Sequence, residues 1–377
     1  MEWPVPLASG AQALLEDMAT LCPSRELARL SAQHLLAERA LANGFAIPGD
    51  VSAGGGCRLY RAHDGWVALN LARPDDRDML PALFACDPND CALPEQIDRR
   101  FGAMEEAECV ARGRLLGLAI AGLSETPASP ARQTTARGLR SAALPARPAV
   151  LDLTALWAGP LAGRLLGLAG GDVCKVESIE RPDPLRYSDA VHFAALNRDK
   201  RHSRLTFRSF EGRATLLALI EAADIVLEAA RPRALLQLGI DADALVRLRP
   251  GLTWVTITGH GIAGDAAEWI AFGDDAGVAG GLSRALFEAT GTIGFVGDAI
   301  GDPLTGIAAA QAALAAHRQG GGRRIVLSMS GVVREALAAE RAADGSPLSR
   351  HLAAWAAARG RPFRALDADA ANEPAQC

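Results

Sequence analysis

The sequence has 377 residues, of which 49% are hydrophobic and 22% charged, with a formal net charge of -5. This composition is typical of a globular protein long enough for more than one domain. The acidic balance and the 5% aromatic content argue against a nucleic-acid partner, and no apolar run approaches the roughly 20 residues of a membrane helix.

The first 50 residues are predicted to form an N-terminal helical segment. Its main element is an amphipathic helix over 24–43, with Ser24 as N-cap and Gly44 after its end. Residues 51–123 are predicted to form a small α+β domain. In it, glycines 54–56 lead into a hairpin that turns at Asp64-Gly65, and a mainly helical stretch follows.

Residues 124–148 are rich in Pro, Ser, Thr and Arg, which is the composition of a linker. Over 149–335, short apolar strands alternate with helices, and this alternation predicts βαβ units in a parallel, Rossmann-like open sheet. Residues 336–377 are predicted to be a C-terminal helix with a loose tail from 361. The expected fold class is therefore α/β, a large Rossmann-like domain with a smaller α+β domain.

Ligands of open parallel sheets bind outside the carboxyl ends of the strands, so loops at those positions are the candidates for chemistry. In one of them, Asp302-Pro303 stands before an alanine-rich helix, with Asp298 four residues earlier. An Asp-Pro pair is also a common helix start, with Asp as N-cap and Pro at the first helical position. On the residues alone, capping is the commoner role.

Other motifs are weaker. Asp274 and Asp275 follow Gly273 and suit capping as well as proton transfer. The triple glycine is not followed by Gly-Lys-Ser/Thr, so it is not a P-loop, and a dinucleotide fingerprint for NAD is poorly matched. No Gly-x-Ser-x-Gly elbow and no metal-ligand spacing is present. Seven cysteines without a Cys-x-x-Cys pair predict reduced thiols in a cytoplasmic protein.

Four segments of the second half, in order, carry a resemblance. They are VLDLTALWAGPLAGRLLGLAGGDVCKVE (150–177), LNRDKRHSRLTF (196–207), ADIVLEAARPRALLQLGID (223–241) and LTWVTITGHGIAGD (252–265). Together they resemble the family III (CaiB/BaiF) CoA-transferases over roughly 190 residues. In that family the nucleophile is an aspartate in a small-residue loop just before an alanine-rich helix. The resemblance therefore implies that Asp302 is the nucleophile, with Asp298 as the competitor.

The resemblance also implies the rest of the site. Gly54, Gly55 and Gly56 match the family's glycine loop over the thioester. The pair Gly273-Asp274 stands where the family has Tyr-Asp or Tyr-Glu, so Asp274 matches the acidic member. We expect a set of residues at the coenzyme: Leu156, Trp157, Ala158, Lys200, Arg201, Leu205, Arg208, Ala229, Ala230 and Arg231. Cations among them would hold the CoA phosphates, and the helix dipole would keep Asp302 ionised.

Three departures leave the activity open. Trp157 replaces a frequent glutamine, Ala229 replaces an asparagine, and the small domain precedes the large one, as in a circular permutation or in half of a fused tandem. The alternatives are an acyl-CoA racemase or isomerase that uses Asp302 with Asp274, and a non-catalytic CoA-binding homologue. Related racemases have a histidine at the position of Gly273.

The resemblance implies a covalent mechanism in which Asp302 attacks an acyl-CoA thioester and forms an aspartyl anhydride, then an aspartyl-CoA thioester. The expected partners are acyl-CoA, a small carboxylic acid and a second copy of the chain in an interlocked homodimer. We expect no tightly bound cofactor and no metal, because coenzyme A enters as a substrate.

Overall fold

The computed structural model describes residues 5–343 and 345–363. Among these residues, none of the helices combines the length and the apolar character needed to cross a membrane. Residues 364–377, which contain most of the predicted loose tail, lie outside the described part of the chain.

The first 137 residues contain five α-helices and four strands among the described positions. The helices are α1 (Ala8–Leu21), α2 (Ala32–Asn43), α3 (Leu80–Phe84), α4 (Pro94–Gly102) and α5 (Glu106–Leu115). The strands are β1 (Cys57–Arg61), β2 (Trp66–Asn70), β3 (Ala119–Gly122) and β4 (Arg132–Arg137). The predicted hairpin is confirmed, since β1 and β2 pair antiparallel from Cys57↔Asn70 to Arg61↔Trp66.

The predicted start of the helix over 24–43 is wrong. Residues Leu27–Arg29 form a 3-10 turn, and α2 begins only at Ala32. Ser31, not Ser24, is the N-cap, and its hydroxyl accepts from the N–H of His34 at 3.4 Å. The predicted end is confirmed, because Gly44 closes the helix with φ +65°, a conformation that glycine adopts without strain.

The second part of the chain contains the remaining elements. The strands are β5 (Ala149–Asp152), β6 (Asp172–Ser178), β7 (Arg201–Leu205), β8 (Ile225–Glu228), β9 (Thr253–Thr258) and β10 (Arg323–Ser328). The helices are α6 (Ala158–Leu168), α7 (Leu185–Ser188), α8 (Ala190–Asn197), α9 (Phe210–Ala222), α10 (Pro232–Gln237), α11 (Ala242–Leu248), α12 (Gly273–Ala279), α13 (Leu282–Thr290), α14 (Gly301–Arg318), α15 (Met329–Ala342) and α16 (Leu348–Ala357).

The strands form two sheets, as the mixed α/β prediction requires. The small sheet is antiparallel with order β1-β2-β3, and the large one has order β4-β10-β9-β8-β5-β6-β7. From β5 to β10 the large sheet is parallel and its order is the Rossmann one, so it reverses between β5 and β8. A crevice for a ligand is therefore expected above the carboxyl ends of β5 and β8.

The segment predicted as a linker contributes to this sheet. Within 124–148, β4 pairs antiparallel with β10 at the sheet edge. This strand lies at the sheet edge and is largely exposed, with only weak alternation of buried and exposed residues. Its polar composition therefore resembles that of a loop. The chain's C-terminal part also returns to its beginning: Ala46 bridges Pro362, and Phe363 donates to Phe45 at 3.1 Å.

The alanine-rich α14 packs closely against α6 because small residues face it. A Cβ on Gly306 would lie 2.6 Å from the carbonyl oxygen of Ala158, a distance that no real side chain tolerates. Ala158, Gly159 and Pro160 form the first turn of α6, which starts at Ala158. The close contact brings the beginnings of α6 and α14 side by side.

Candidate active site

Three helix N-termini meet at the carboxylate of Asp302. Asp302 is the second residue of α14, and its Oδ2 accepts from the backbone N–H of Gly273, the first residue of α12, at 3.0 Å. A second hydrogen bond comes from the backbone of Ala158, the first residue of α6. The N-terminus of a helix offers unpaired N–H groups and a favourable dipole for an anion.

The predicted capping role of Asp302 is therefore wrong. The N-cap of α14 is Ile300, which makes no side-chain cap bond, and Pro303 is the third helical residue. Because the Asp302 side chain bonds to two other helices, it does not hold its own helix end. Asp302 is half-buried, whereas Asp298 is fully buried.

The expectation that the dipole keeps Asp302 ionised needs correction. Burial, with a smaller contribution from the charge of Asp274, raises the pKa of Asp302 to about 7 against the attraction of Arg39. Hydrogen bonds from Gly273 and Ala158 act in the opposite direction. Near neutral pH the free protein therefore contains both forms of this carboxyl group.

Asp274 lies beside Asp302 and ties α12 to the loop before α14. Its Oδ1 accepts from the N–H of Ala299 at 3.0 Å, and its side chain also bonds to Ser52. Ala299 has φ +42°, an unusual value for a residue with a side chain. Burial and then the charge of Asp298 raise the pKa of Asp274 to about 6.

Asp298, the competing nucleophile, is fully buried and already paired. Its carboxylate accepts two hydrogen bonds from Arg39 of α2, one of them from Nε at 2.9 Å. The guanidinium of Arg39 also lies 4.9 Å from the ring centre of Trp157. The geometry thus favours Asp302, which is half-buried, over Asp298, which is fully buried and paired with Arg39.

Sequence reasoning missed Arg39. It stands in an ordinary amphipathic helix, and its partner Asp298 follows 259 residues later, so no local spacing indicates the pair. The positive charge of Arg39 also acts to lower the pKa of both Asp274 and Asp302. We refer to Asp274, Asp275, Asp298 and Asp302 as the carboxylate cluster.

The triple-glycine loop, residues 54–56, lies at the same cluster within one chain. A Cβ on Gly54 would be 3.2 Å from Nη2 of Arg39, and Ser52 immediately before the loop bonds to Asp274. All three glycines are exposed. The N–H of Gly55 donates to the carbonyl of Ser52 at 2.8 Å, whereas those of Gly54 and Gly56 have no acceptor among the described residues.

Most of the residues predicted at the coenzyme lie at the carboxyl edge of the large sheet. Three follow β5, two lie at or after the end of β7 and three follow β8: Leu156, Trp157 and Ala158; Leu205 and Arg208; Ala229, Ala230 and Arg231. Arg208, Ala229 and Arg231 are exposed. Trp157 is buried and packs edge-to-face on His192 at 4.6 Å, and its indole N–H has no hydrogen-bond partner among the described residues.

Two predicted phosphate ligands do not fit. The Lys200 ammonium is buried and donates at 2.8 Å each to Asp152, Asn197 and the carbonyl of Pro160. These bonds use all three donors. Arg201 is the first residue of β7, so it lies at the amino edge of the sheet, where it pairs with Asp172 at 3.0 Å.

A cavity of about 680 Å³ lies between α5 and the loop after β9, and none of the predicted site residues lines it. On its wall the guanidinium of Arg114 stacks on Trp269 at 4.0 Å and pairs with Glu125 at 2.6 Å.

Within residues 5–343 and 345–363, no group of His, Cys, Asp or Glu is arranged to hold a metal ion.

Comparison with known proteins places this site in a family context. The model of CoA-transferase family III matches residues 148–353. An acyl-CoA transferase of Fusarium pseudograminearum is 30% identical over 48% of this chain and 44% of its own length. A succinyl-CoA–D-citramalate CoA-transferase of Chloroflexus aurantiacus is 33% identical over 45% of this chain and 44% of its own.

A solved structure of a hypothetical protein from Mycobacterium tuberculosis is also similar. It is 29% identical, with a TM-score of 0.47, over 53% of this chain and 59% of that one. The chain spans about half the length of the curated relatives it matches. Residues 1–147, which contain Arg39 and the triple-glycine loop, lie outside the region that the family model matches.

Proposed function

Because the chain belongs to CoA-transferase family III, we propose that it moves coenzyme A between an acyl-CoA thioester and a carboxylic acid, with Asp302 as the covalent nucleophile. The observation that carries this proposal is the half-buried Asp302, whose carboxylate lies at the meeting point of three helix N-termini. The family supports CoA transfer in general, and the residue roles are our inference from the geometry.

The proposed reaction begins with ionised Asp302. One carboxylate oxygen attacks the thioester carbonyl, the C–S bond breaks, and an acyl-aspartyl anhydride forms with release of the CoA thiolate. The thiolate then attacks the aspartyl carbonyl and releases the first acid as a carboxylate. The aspartyl-CoA thioester passes its CoA to the second acid by the reverse steps. Splitting one exchange into such steps lowers each barrier.

The contacts of Asp302 suit the middle steps. When the thiolate attacks the aspartyl carbonyl, negative charge develops on the oxygen that stays on that carbon. Oδ2 already accepts from Gly273 at 3.0 Å and the side chain also accepts from Ala158. These N–H groups would act as an oxyanion hole without reorganisation, and one such donor contributes about 100- to 1,000-fold in rate.

The triple-glycine loop would serve the other carbonyl, that of the acyl group. Gly54 and Gly56 have N–H groups free to donate, and glycine lets a substrate approach the backbone closely. Gly55 is less suitable, because its N–H already bonds to Ser52. A loop closed over the anhydride would also keep water away from it.

The coenzyme would lie along the carboxyl edge of the large sheet. Arg208 and Arg231 are exposed there and are our candidates for its phosphates. Coenzyme A is a substrate in this scheme, and no bound cofactor is needed. We also propose that the acceptor is a small carboxylic acid, that the protein forms a homodimer and that it is cytoplasmic.

One observation favours a second function, an acyl-CoA racemase or isomerase. The raised pKa values of Asp302 (about 7) and Asp274 (about 6) suit proton transfer near neutral pH. Against it, position 273 has no room for the histidine of related racemases. A Cβ there would overlap with the carbonyl oxygen of Ala299 and lie 2.5 Å from Oδ2 of Asp302.

The decisive experiment is to trap the covalent intermediate. The protein is incubated with a panel of acyl-CoAs, quenched in acid and digested, and the peptide containing Asp302 is examined by mass spectrometry. We expect an acyl or CoA adduct on that peptide and none in Asp302→Asn. Full transfer by Asp302→Asn would disprove the proposal. Deuterium uptake at the α-carbon without an acceptor would favour the racemase, and CoA binding without either reaction a non-catalytic homologue.

A further inference from the structure

Arg39 joins the part of the chain outside the family match to the carboxylate cluster. It projects from α2 and makes a two-pronged ion pair with the fully buried Asp298. The ring of Trp157 lies against its guanidinium at 4.9 Å, and Gly54 borders it on another side. The guanidinium is therefore held by contacts from three different parts of the chain.

We propose that Arg39 is a positioning residue for the nucleophile: fixed by Asp298 and Trp157, it holds a positive charge beside Asp302 and next to the triple-glycine loop. This inference rests on the proposed function and deepens it. It assigns to the N-terminal segment a part in the site whose nucleophile comes from the family-matched segment of the same chain.

The charged groups facing Asp302 come from two helices. Arg39 of α2 attracts the carboxylate and Asp274 of α12 repels it, while Asp298 on the preceding loop is hydrogen-bonded to Arg39. Burial alone favours the neutral acid, which cannot attack a thioester. Arg39 opposes both burial and Asp274, so its charge increases the ionised fraction of Asp302.

The contacts of Arg39 explain how this charge is kept in place. Burial lowers the pKa of Arg39, but the hydrogen bonds and attraction of Asp298 outweigh this effect and raise the pKa above its usual value. An arginine forms the planar two-pronged contact with a carboxylate that a lysine cannot. Asp298 is thus the anchor of Arg39, which gives this buried aspartate near the candidate nucleophile a structural role.

The test reads the titration of Asp302 directly, so it does not depend on turnover. The full-length protein is labelled with ¹³C in the aspartate carboxyl groups, and the resonance missing in Asp302→Asn is assigned to Asp302. We expect Arg39→Met to raise the pKa of Asp302 by about one pH unit, since a nearby opposite charge typically lowers a carboxyl pKa by about one to three. Arg39→Lys, which keeps the charge, should restore part of the difference.

Arg164→Met is the matched control. Arg164 makes a comparable half-buried ion pair with Glu38, the residue before Arg39, at 2.8 Å. It also links α2 to α6, so its loss tests whether loosening α2 is enough to disturb Asp302. We expect the pKa of Asp302 to stay unchanged in this variant.

A double variant covers the case in which Arg39→Met does not fold. In Arg39→Met with Asp298→Asn, no buried carboxylate loses its partner, and the pKa of Asp302 should still rise. An unchanged Asp302 pKa in folded Arg39→Met or in the double variant would overturn the proposal, and so would an equal change in Arg164→Met. If transfer is absent but Asp302 still shifts, the proposed function fails while the coupling of Arg39 to Asp302 stands.

Discussion

The backbone N–H of Gly273 donates to Oδ2 of Asp302 at 3.0 Å and so joins the first turns of α12 and α14. This bond needs a residue without a side chain at 273, because a Cβ would overlap with the carbonyl of Ala299. The same bond therefore orients the candidate nucleophile and restricts the sequence at 273. It links the chemistry of the site to the packing that forms it.

Replacement of Gly273 should reduce both CoA transfer and the stability of the protein. In Gly273→Ala the new methyl group would force α12 away from the loop before α14 and break the bond to Asp302. We expect transfer to fall at least about 100-fold and stability by about 1–3 kcal/mol. Initial rates of CoA transfer and thermal unfolding measure the two effects.

Gly277→Ala in the same helix is the control. A Cβ there meets only Ile300 at 3.4 Å, an ordinary contact, and alanine favours a helix over glycine by about 1 kcal/mol. This variant should keep its activity and its melting temperature. Equal losses at 273 and 277 would mean that the Gly273–Asp302 bond has no special role.

Transfer should depend on pH through the ionisation of Asp302. Only the carboxylate attacks, and burial raises its pKa to about 7. The rate constant kcat/KM should therefore rise about tenfold per pH unit below 7 and level off above it. Initial rates with one acyl-CoA between pH 5 and 9 test this, and a profile already level at pH 5 would contradict the raised pKa.

The sequence predicted what depends on local pattern. Alternating strands and helices predicted the parallel sheet, and the hairpin followed from its turn residues at Asp64-Gly65. Contacts between distant segments were not predictable in this way. The bond from Gly273 to Asp302 and the pair of Arg39 with Asp298 join residues 29 and 259 positions apart, and neither leaves a local signal.

Lys200 illustrates the same limit. Its position in a family motif suggested a phosphate ligand, and a lysine beside an arginine is consistent with that. Only the fold shows that its ammonium lies against Asp152, 48 positions earlier, at the end of β5. A motif specifies which residue is present but not which neighbour uses its hydrogen bonds.

Lys200→Met should therefore reduce stability and not coenzyme affinity. Burial lowers the pKa of Lys200, although the attraction of Asp152 acts in the opposite direction. For Asp152, the attraction of Lys200 and Lys175 outweighs burial and lowers the pKa. Loss of the ammonium leaves a fully buried carboxylate with a weaker cationic environment, which costs about 3–5 kcal/mol. Chemical denaturation measures this loss.

Arg201→Met is the comparison for Lys200→Met. Arg201 and Asp172 form an exposed pair, and such pairs contribute at most about 1 kcal/mol. If Lys200→Met were as stable as Arg201→Met but bound CoA more weakly, Lys200 would be a phosphate ligand after all. Calorimetric titration with CoA separates the two outcomes.

Asp275 should make the protein less stable as the pH rises. It is fully buried, and Phe272 N–H and Asn70 donate to its Oδ1, while its Oδ2 has no hydrogen-bond partner in the described part of the chain. Burial raises its pKa to about 8, well above the value near 4 of an unfolded aspartate. Between these values the folded state holds one more proton than the unfolded state, so stability falls from about pH 4 to pH 8 and then levels off.

Asp275→Asn removes this titration while keeping the shape of the side chain. We expect the melting temperature of the native protein to fall more steeply between pH 6 and 8 than that of the variant, so that the variant gains relative stability with pH. Asp76→Asn is the matched control, because Asp76 is also a buried aspartate at the third position of a helix but pairs with Arg73. That variant should lose stability across the range, and a parallel pair of curves for Asp275→Asn and the native protein would show that Asp275 is ionised at neutral pH.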